Sequence, residues 1–169
     1  MEKTEIKFCL TEQAHHIFRQ MEIDPIEYGP AYNGESVGLD LYNMGPEVII
    51  PGRNKWIVFE EEIQTIPTGV RICLPKGTVG LVEERGSILK TGLVARAGVI
   101  DPGYTGEIFV NLVNIGERDT TIPVGAKLPL QLIVIPYCRT FKVVPYQEYL
   151  EETTVSTREV GRLGSSDSF

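Results

Sequence analysis

The sequence predicts an all-β domain built from short antiparallel strands. Short runs of β-branched or apolar residues recur along the chain, and turns containing some of its 17 glycines and 11 prolines separate them. Strands at this spacing are typical of an antiparallel sandwich or barrel. With 169 residues, 42% of them hydrophobic and 23% charged, the chain is long enough to bury a core without disulfide bonds.

The individual elements are predicted in chain order. Ile6–Leu10 is expected to be a strand, and Thr11–Met21 a helix that begins at the capping residue Thr11. Prolines and glycines make the following segment, up to Ser36, a loop. The strands predicted after it are Val37–Tyr42, Val48–Ile50, Trp56–Phe59, Val70–Leu74, Thr78–Val82, Glu107–Ile115, Leu128–Ile135 and Phe141–Val144. Residues 1–150 are predicted to form one domain, and the polar residues 151–169 a flexible C-terminal arm.

Charge and cysteine content limit the possible functions. The formal charge of −7 argues against a nucleic-acid coat and against stable nucleic-acid binding, but it allows a small polyanion in a locally positive pocket. Cys9, Cys73 and Cys138 are widely spaced, which indicates reduced thiols rather than a zinc site. No apolar run is long enough to span a membrane, and the charged N-terminus does not resemble a signal peptide. We therefore expect a cytoplasmic protein without a membrane partner, with a viral or bacterial host cytoplasm as one option.

The most informative local pattern is Ala97–Glu107. Asp101 ends an apolar run, a Pro102-Gly103 turn follows, and Tyr104 comes three residues after the carboxylate. Such an aspartate suits a general base acting on water, and the tyrosine offers a flat face to a sugar. The residues alone also allow a simple β-turn in which the aspartate bonds its own backbone.

Three other segments carry groups that suit a phosphorylated ligand. Asp40 lies within an apolar strand, where a buried acid requires a partner, a metal ion or a hydrogen-bonded network. Arg85, Gly86 and Ser87 combine a cation, a flexible backbone and a hydroxyl, as phosphate oxygens require. The arm, rich in Arg, Gly and Ser, is suited to closing over a triphosphate, although a solubilising tail has the same composition.

Taken together and in this order, these segments resemble the trimeric dUTP pyrophosphatase family, in particular its viral and phage members. The resemblance extends from Val37 to Ser166 and includes counterparts of all five family motifs. It implies a jelly-roll fold and a homotrimer whose active sites are shared between subunits. It also implies a magnesium-dependent pyrophosphatase that hydrolyses a deoxynucleoside triphosphate, most naturally dUTP.

The resemblance implies roles for individual residues. Asp101 would activate the water that attacks the α-phosphorus, Tyr104 would pack on the deoxyribose, and Asp40 would hold waters of a triphosphate-bound Mg²⁺ ion. Further substrate contacts are implied for Arg85, Gly86, Ser87, Gly98, Ile100, Asn111, Gln131, Arg158, Leu163, Gly164, Ser165 and Ser166.

Departures from the family pattern keep alternatives open. Gly86 replaces a serine, Leu163 replaces a base-stacking phenylalanine, and Lys127 stands in an altered fourth motif. The interval before Asp101 is short for the hairpin that reads uracil, so another deoxynucleoside triphosphate is an alternative substrate. A non-catalytic nucleotide-binding or regulatory protein is a second alternative. A dCTP deaminase is a third, and Asn111 argues against it because deamination requires a glutamate there. Residues 11–36 exceed the family's minimum and suggest a partner surface or a lid.

Overall fold

A computed structural model describes residues 5–25, 27–31, 35–52, 62–138 and 142–153 of the chain. The chain divides into two units, residues 1–138 and 139–169, which are described separately. The described strands are β1 (Lys7–Leu10), β2 (Leu39–Tyr42), β3 (Val48–Ile50), β4 (Gln64–Pro67), β5 (Val70–Cys73), β6 (Thr78–Glu84), β7 (Leu93–Arg96), β8 (Val99–Ile100), β9 (Phe109–Asn114), β10 (Thr120–Ile122) and β11 (Lys127–Pro136). The helices are α1 (Glu12–Gln20), α2 (Tyr146–Thr153) and a 3-10 helix at Gly86–Lys90.

The described strands form four small antiparallel sheets. The largest has the strand order β2-β11-β6-β8, a three-stranded sheet has the order β4-β9-β7, and β1 pairs with β5 and β3 with β10. All of these pairs are antiparallel. The prediction of an all-β antiparallel domain is therefore confirmed.

One hydrophobic core receives side chains from all four sheets. Leu128, Leu130 and Leu132 of β11 are buried and alternate with more exposed residues, as expected for a strand with one face toward a core. Ile72 from β5 and Ile50 from β3 belong to the same cluster. Burying each of these side chains contributes roughly 1.5–3 kcal/mol to folding, so β11 is an anchor for the largest sheet.

Helix α1 packs beside this core on a smaller apolar cluster. The side chain of Thr11 accepts a hydrogen bond from the Ala14 amide at 3.3 Å, which confirms the predicted N-cap. Ala14, Ile17 and Phe18 are buried, as their helical spacing predicts. Gly69 has φ +70° and a Cβ there would lie 2.4 Å from the Ala14 Cβ, so the turn between β4 and β5 requires glycine.

Asn43 connects the end of β2 to the start of β11. Its buried side-chain amide donates to the carbonyls of Ile122 and Pro123 at 3.2 and 3.0 Å. Its backbone amide donates to the carbonyl of Ala126 at 2.9 Å. Because both groups are satisfied, the polar side chain can be fully buried, and β2 is held in register against β11.

The structure tests the other element predictions. Strands are confirmed near Ile6–Leu10, Val37–Tyr42, Val48–Ile50, Val70–Leu74, Thr78–Val82, Glu107–Ile115 and Leu128–Ile135. The predicted strand at Phe141–Val144 is wrong over its described residues, 142–144. Val143 there is 99% exposed, so this apolar run has no face to bury, and α2 begins at Tyr146. The predicted strand Trp56–Phe59 lies outside the described residues.

The elements not predicted from the sequence are the strands β4, β7, β8 and β10, the 3-10 helix and α2. β4 ends at Pro67, which reads as a turn residue, and β10 is only three residues long. In the second unit, α2 carries stacked rings of Tyr146 and Tyr149 with centroids 6.3 Å apart. Within the described part of the chain, no helix is both long and apolar enough to cross a membrane.

Candidate active site

A tight turn at the end of β8 presents the predicted catalytic carboxylate. Among the described strands β8 lies at the edge of its sheet and pairs with β6, and Asp101 follows it directly with an exposed side chain. The Tyr104 amide donates to the Asp101 carbonyl at 3.0 Å and closes the turn. The Tyr104 hydroxyl donates to the carbonyl of Glu107, which fixes the ring beside Asp101. The turn therefore holds a carboxylate and an aromatic face together.

A small open cavity of about 180 Å³ lies at this turn. Its lining residues are Val99, Ile100, Asp101, Tyr104 and Phe109. Phe109 was not predicted as a site residue; it is the first residue of β9 and is 44% exposed between the buried residues Ile108 and Val110. An aromatic residue on the outward face of an alternating strand, close to Asp101 in the sequence, was the signal available for finding it. The cavity thus has two aromatic rings beside one carboxylate.

The segment before Asp101 passes between two sheets. It is not a hairpin, because β7 pairs with β9 whereas β8 pairs with β6. The chain crosses at Ala97, which has φ +52°, and Gly98. A Cβ on Gly98 would lie 2.6 Å from the Val82 carbonyl oxygen, and the Gly98 carbonyl accepts the Val82 amide at 2.8 Å. Gly98 therefore sets the position of Asp101 by allowing close backbone contact with β6.

The buried acid Asp40 has two cationic partners. Its side chain is 9% exposed, and its Oδ1 lies 2.7 Å from Nε of Arg85. Its Oδ2 lies 3.0 Å from Nζ of Lys127, which also lies over the Tyr42 ring at 5.4 Å. Burial lowers the pKa of Lys127, but hydrogen bonds to Asp40 and Tyr42 outweigh it and raise that pKa above its ordinary value. Lys127 entered the sequence analysis only as a departure from the fourth motif.

The predicted phosphate-binding residues surround this ion-pair cluster, which consists of Asp40, Arg85 and Lys127. The Arg85 guanidinium also donates from Nη1 to the Leu128 carbonyl at 3.2 Å. Gly86 and Ser87 begin the 3-10 helix and are exposed, and the buried Ile88 anchors that helix. Gln131 lies opposite Asp40 in the β2–β11 register.

The remaining predicted site residues lie elsewhere or outside the described residues. Asn111 does not line the cavity at Asp101, and its Oδ1 accepts a hydrogen bond from the Thr65 hydroxyl at 2.7 Å. Arg158, Leu163, Gly164, Ser165 and Ser166 lie outside the described residues. The structure thus assembles two groups of candidate residues, one around Asp101 and one around Asp40.

Comparison with known proteins identifies the family. A family model described as dUTPase matches residues 27–166. The chain belongs to the dUTPase family. It is 34% identical to the deoxyuridine 5'-triphosphate nucleotidohydrolase of Gloeobacter violaceus, over 80% of this chain and 85% of that protein.

Solved dUTPase structures share the fold of this family member. The native dUTPase of equine infectious anemia virus superposes with a TM-score of 0.60 at 26% identity, over 84% of this chain and 96% of that one. A Staphylococcus bacteriophage 80alpha dUTPase mutant with dUpNHpp gives a TM-score of 0.69 at 21% identity, over 97% and 99% of the two chains. The likeness to the phage protein concerns the fold alone.

The Lys127–Asp40 ion pair predicts a stability difference that depends on pH. Replacement of Lys127 by Met should lower the free energy of unfolding by about 1 kcal/mol or less at pH 7, because the lysine side chain is 44% exposed. The pKa of Lys127 is raised on folding, so the contribution is present below its unfolded value of 10.5 and is lost as pH rises through the folded value. Urea unfolding of both proteins between pH 7 and 11 measures this difference.

Lys142→Met is the matched control for this experiment. Lys142 pairs with Glu148 at 3.0 Å, but both side chains are well exposed at 72% and 41%. We expect no measurable loss of stability from this control. A Lys127→Met protein as stable as the unchanged protein at pH 7 would contradict a stabilising role for the pair.

Proposed function

We propose that this protein hydrolyses dUTP to dUMP and pyrophosphate. The observation that carries the proposal is the cavity where the exposed Asp101 carboxylate stands beside the fixed Tyr104 ring. Asp101 accepts a proton from a water molecule, whose oxygen forms a bond to the α-phosphorus. The bond from that phosphorus to the bridging oxygen breaks, and pyrophosphate leaves with the electron pair.

The neighbouring aromatic residues select and orient the nucleoside. The hydrogen bond from the Tyr104 hydroxyl to the Glu107 carbonyl leaves the ring face free to pack on a deoxyribose. A ring in contact with the sugar leaves no room for a 2′-hydroxyl. Ile100 and Phe109 complete the apolar walls of the cavity. Gly98, through its contact with β6, keeps this pocket in place.

The phosphates require the second group of residues. Arg85 supplies a guanidinium, Ser87 a hydroxyl and Gln131 an amide. Asp40 would hold waters of a Mg²⁺ ion that arrives with the triphosphate, because Mg²⁺ retains several waters when it binds substrate phosphates. Such an ion would neutralise phosphate charge. Among the described residues there is no cluster of three or more His, Cys, Asp or Glu side chains that would hold a metal alone.

We propose a homotrimer, as membership of the dUTPase family implies, and the sheet geometry supports active sites that are shared between subunits. β2 with Asp40 and β8 before Asp101 are opposite edges of one four-stranded sheet. Gly80 of β6 pairs with Ile100 of β8, and the two strands are antiparallel. From this pair, Arg85 is therefore reached in one direction along the strands and Asp101 in the opposite direction. At about 3.3 Å per residue they are roughly 20 Å apart. Because this backbone separation is longer than the span from an α- to a γ-phosphate, we propose that a second copy supplies the phosphate-binding group.

The outward face of the same sheet is suited to contact with another copy. Leu81 pairs with Ile133 on one side and Val99 on the other, and Val79 pairs with Ile135. These side chains alternate with the core-facing residues of β6, β8 and β11, and they are half-buried or exposed, with Val99 66% exposed. A continuous apolar face of this kind is typical of an interface between subunits.

A charge placed on this face should disrupt the trimer. We expect Ile133→Glu to reduce the mass measured by light scattering from three chains to one, with loss of dUTP hydrolysis. Ile49→Glu is the matched control, because Ile49 is 57% exposed on β3 in a different sheet. A trimeric Ile133→Glu protein would place the interface elsewhere.

We further propose that residues 151–169 form an arm that closes over a neighbouring subunit's site. Arg158 and the Gly164–Ser166 segment would supply a cation, a glycine amide and hydroxyls suited to a γ-phosphate, and Leu163 precedes that segment in the sequence. Deleting residues 154–169 should preserve the melting temperature and the trimer but lower kcat/KM for dUTP at least tenfold. Unchanged kcat/KM would show that the arm has no part in turnover.

Asp101→Asn tests the central chemical step. Loss of the carboxylate base should reduce kcat by at least 10²–10³-fold, while trimer formation and binding of a non-hydrolysable dUTP analogue are retained. Pyrophosphate release in the presence of Mg²⁺ is the measurement, with dUTP, dCTP, dTTP, dATP and dGTP compared side by side. Faster hydrolysis of another triphosphate would change the substrate and keep the mechanism. No turnover of any of them would indicate a non-catalytic nucleotide-binding protein.

A further inference from the structure

Helix α1 and the loop after it cover the side of β2 that carries Asp40. We call residues 11–31 the cap segment; its described residues are 11–25 and 27–31. Leu39 and Leu41 of β2 belong to the main core, so Asp40 and Tyr42 lie on the opposite face. Tyr42 packs against the apolar cluster of α1. The cap segment therefore forms the second wall around Asp40.

Aromatic rings make up most of this wall. The Tyr28 ring lies 5.0 Å from the Phe18 ring and 5.8 Å from the Tyr42 ring, measured between centroids. Phe8 from β1 contacts Tyr28 edge-on at 5.8 Å. Contacts of this kind restrict the ring of Tyr28 to one position. Its hydroxyl is thereby aimed at β2.

The Tyr28 hydroxyl donates a hydrogen bond to the backbone carbonyl of Asp40. Among the described strands β2 lies at the edge of its sheet, and the tyrosine adds a hydrogen bond from outside that sheet to its backbone. Burial raises the pKa of Tyr28 far above its ordinary value, with smaller contributions from Tyr42 and Asp40. The phenol therefore keeps its proton at neutral pH and remains a hydrogen-bond donor.

The hydrogen bond from Tyr28 fixes the backbone of Asp40, and the side chain of Asp40 holds Arg85. Each carboxylate oxygen of Asp40 has its own cation, Arg85 at 2.7 Å and Lys127 at 3.0 Å. A shift of the Asp40 backbone would therefore alter both ion pairs. The cap segment is thus connected, through one hydroxyl, to the guanidinium proposed to bind phosphate.

We infer that Tyr28 is a positioning residue for the triphosphate site, acting through Asp40 on Arg85. The cap segment is accordingly part of the active-site scaffold. This inference rests on the proposed function, because it assigns Tyr28 to the phosphate-binding half of that site.

Tyr28→Phe removes the hydroxyl and keeps the ring. We expect KM for dUTP with Mg²⁺ to rise about five- to tenfold, as for the loss of one hydrogen bond that orients a binding group, with kcat changed less than twofold. Ile17→Val is the control, because Ile17 is buried on α1 in the same cluster. It should lower the melting temperature comparably and leave KM unchanged. A KM for Tyr28→Phe equal to that of the unchanged protein would overturn the inference.

A double-mutant cycle separates positioning from general destabilisation. In an Asp40→Asn protein the charged link to Arg85 is already lost, so adding Tyr28→Phe should raise KM no further. Equal multiplicative effects of Tyr28→Phe in both backgrounds would show that the tyrosine does not act through the Asp40 carboxylate, and would refute the inference.

The Arg85 Nε–H signal in ¹⁵N NMR spectra tests the same link without turnover. The signal can be assigned by its absence in Arg85→Lys. It should be protected from exchange in the unchanged protein and shifted or broadened in Tyr28→Phe. If the unchanged protein hydrolyses no dUTP, the proposed function fails, while this signal still decides whether Tyr28 orients Arg85. An identical Arg85 signal in the two proteins would contradict the inference.

Discussion

The structure around the candidate site depends on the charge compensation of Asp40. A carboxylate that is 9% exposed destabilises the fold by several kcal/mol unless cations and hydrogen bonds compensate it. The end of β6 must therefore bring Arg85, and the start of β11 must bring Lys127, to the same strand. Asn43 holds β2 and β11 together beside this cluster through its bonds to the chain before β11. A requirement of stability thereby assembles the cations that a polyanionic ligand needs.

The same sheet that gathers these cations keeps them away from the candidate base. Asp40 and Asp101 belong to opposite edges of the four-stranded sheet, and the pairing of Gly80 with Ile100 sets their offset along the strands. Close contact of Gly98 with β6 leaves little freedom for that offset to change. The two groups of candidate residues are therefore held apart within one chain. This separation is the structural basis of our proposal that active sites are shared between subunits.

Local patterns in the sequence predicted what local physics determines. Helix α1 was predictable because its cap and apolar spacing lie within eleven residues, and β11 because its leucines alternate. The strand predicted at Phe141–Val144 was wrong over its described residues, because β-branched residues stabilise a strand only where one of its faces is buried. Val143 there is 99% exposed. Lys127 and Tyr28 were not assigned roles, because their contacts with Asp40 join residues 87 and 12 positions apart. Phe109 was the exception, because its outward position in an alternating strand close to Asp101 was a local signal that could have identified it.

The acid excess of the chain, −7 overall, is consistent with a triphosphate ligand because charge acts locally at the site. Two cations face one carboxylate in the ion-pair cluster, so the cluster itself carries a net positive charge. Arg85 can turn toward a phosphate only if another cation still pairs with Asp40, since an unpaired buried carboxylate is strongly destabilising. Lys127 meets this condition, because it binds the other carboxylate oxygen and its raised pKa keeps it charged. Asp40 therefore retains a partner whether Arg85 contacts it or the ligand.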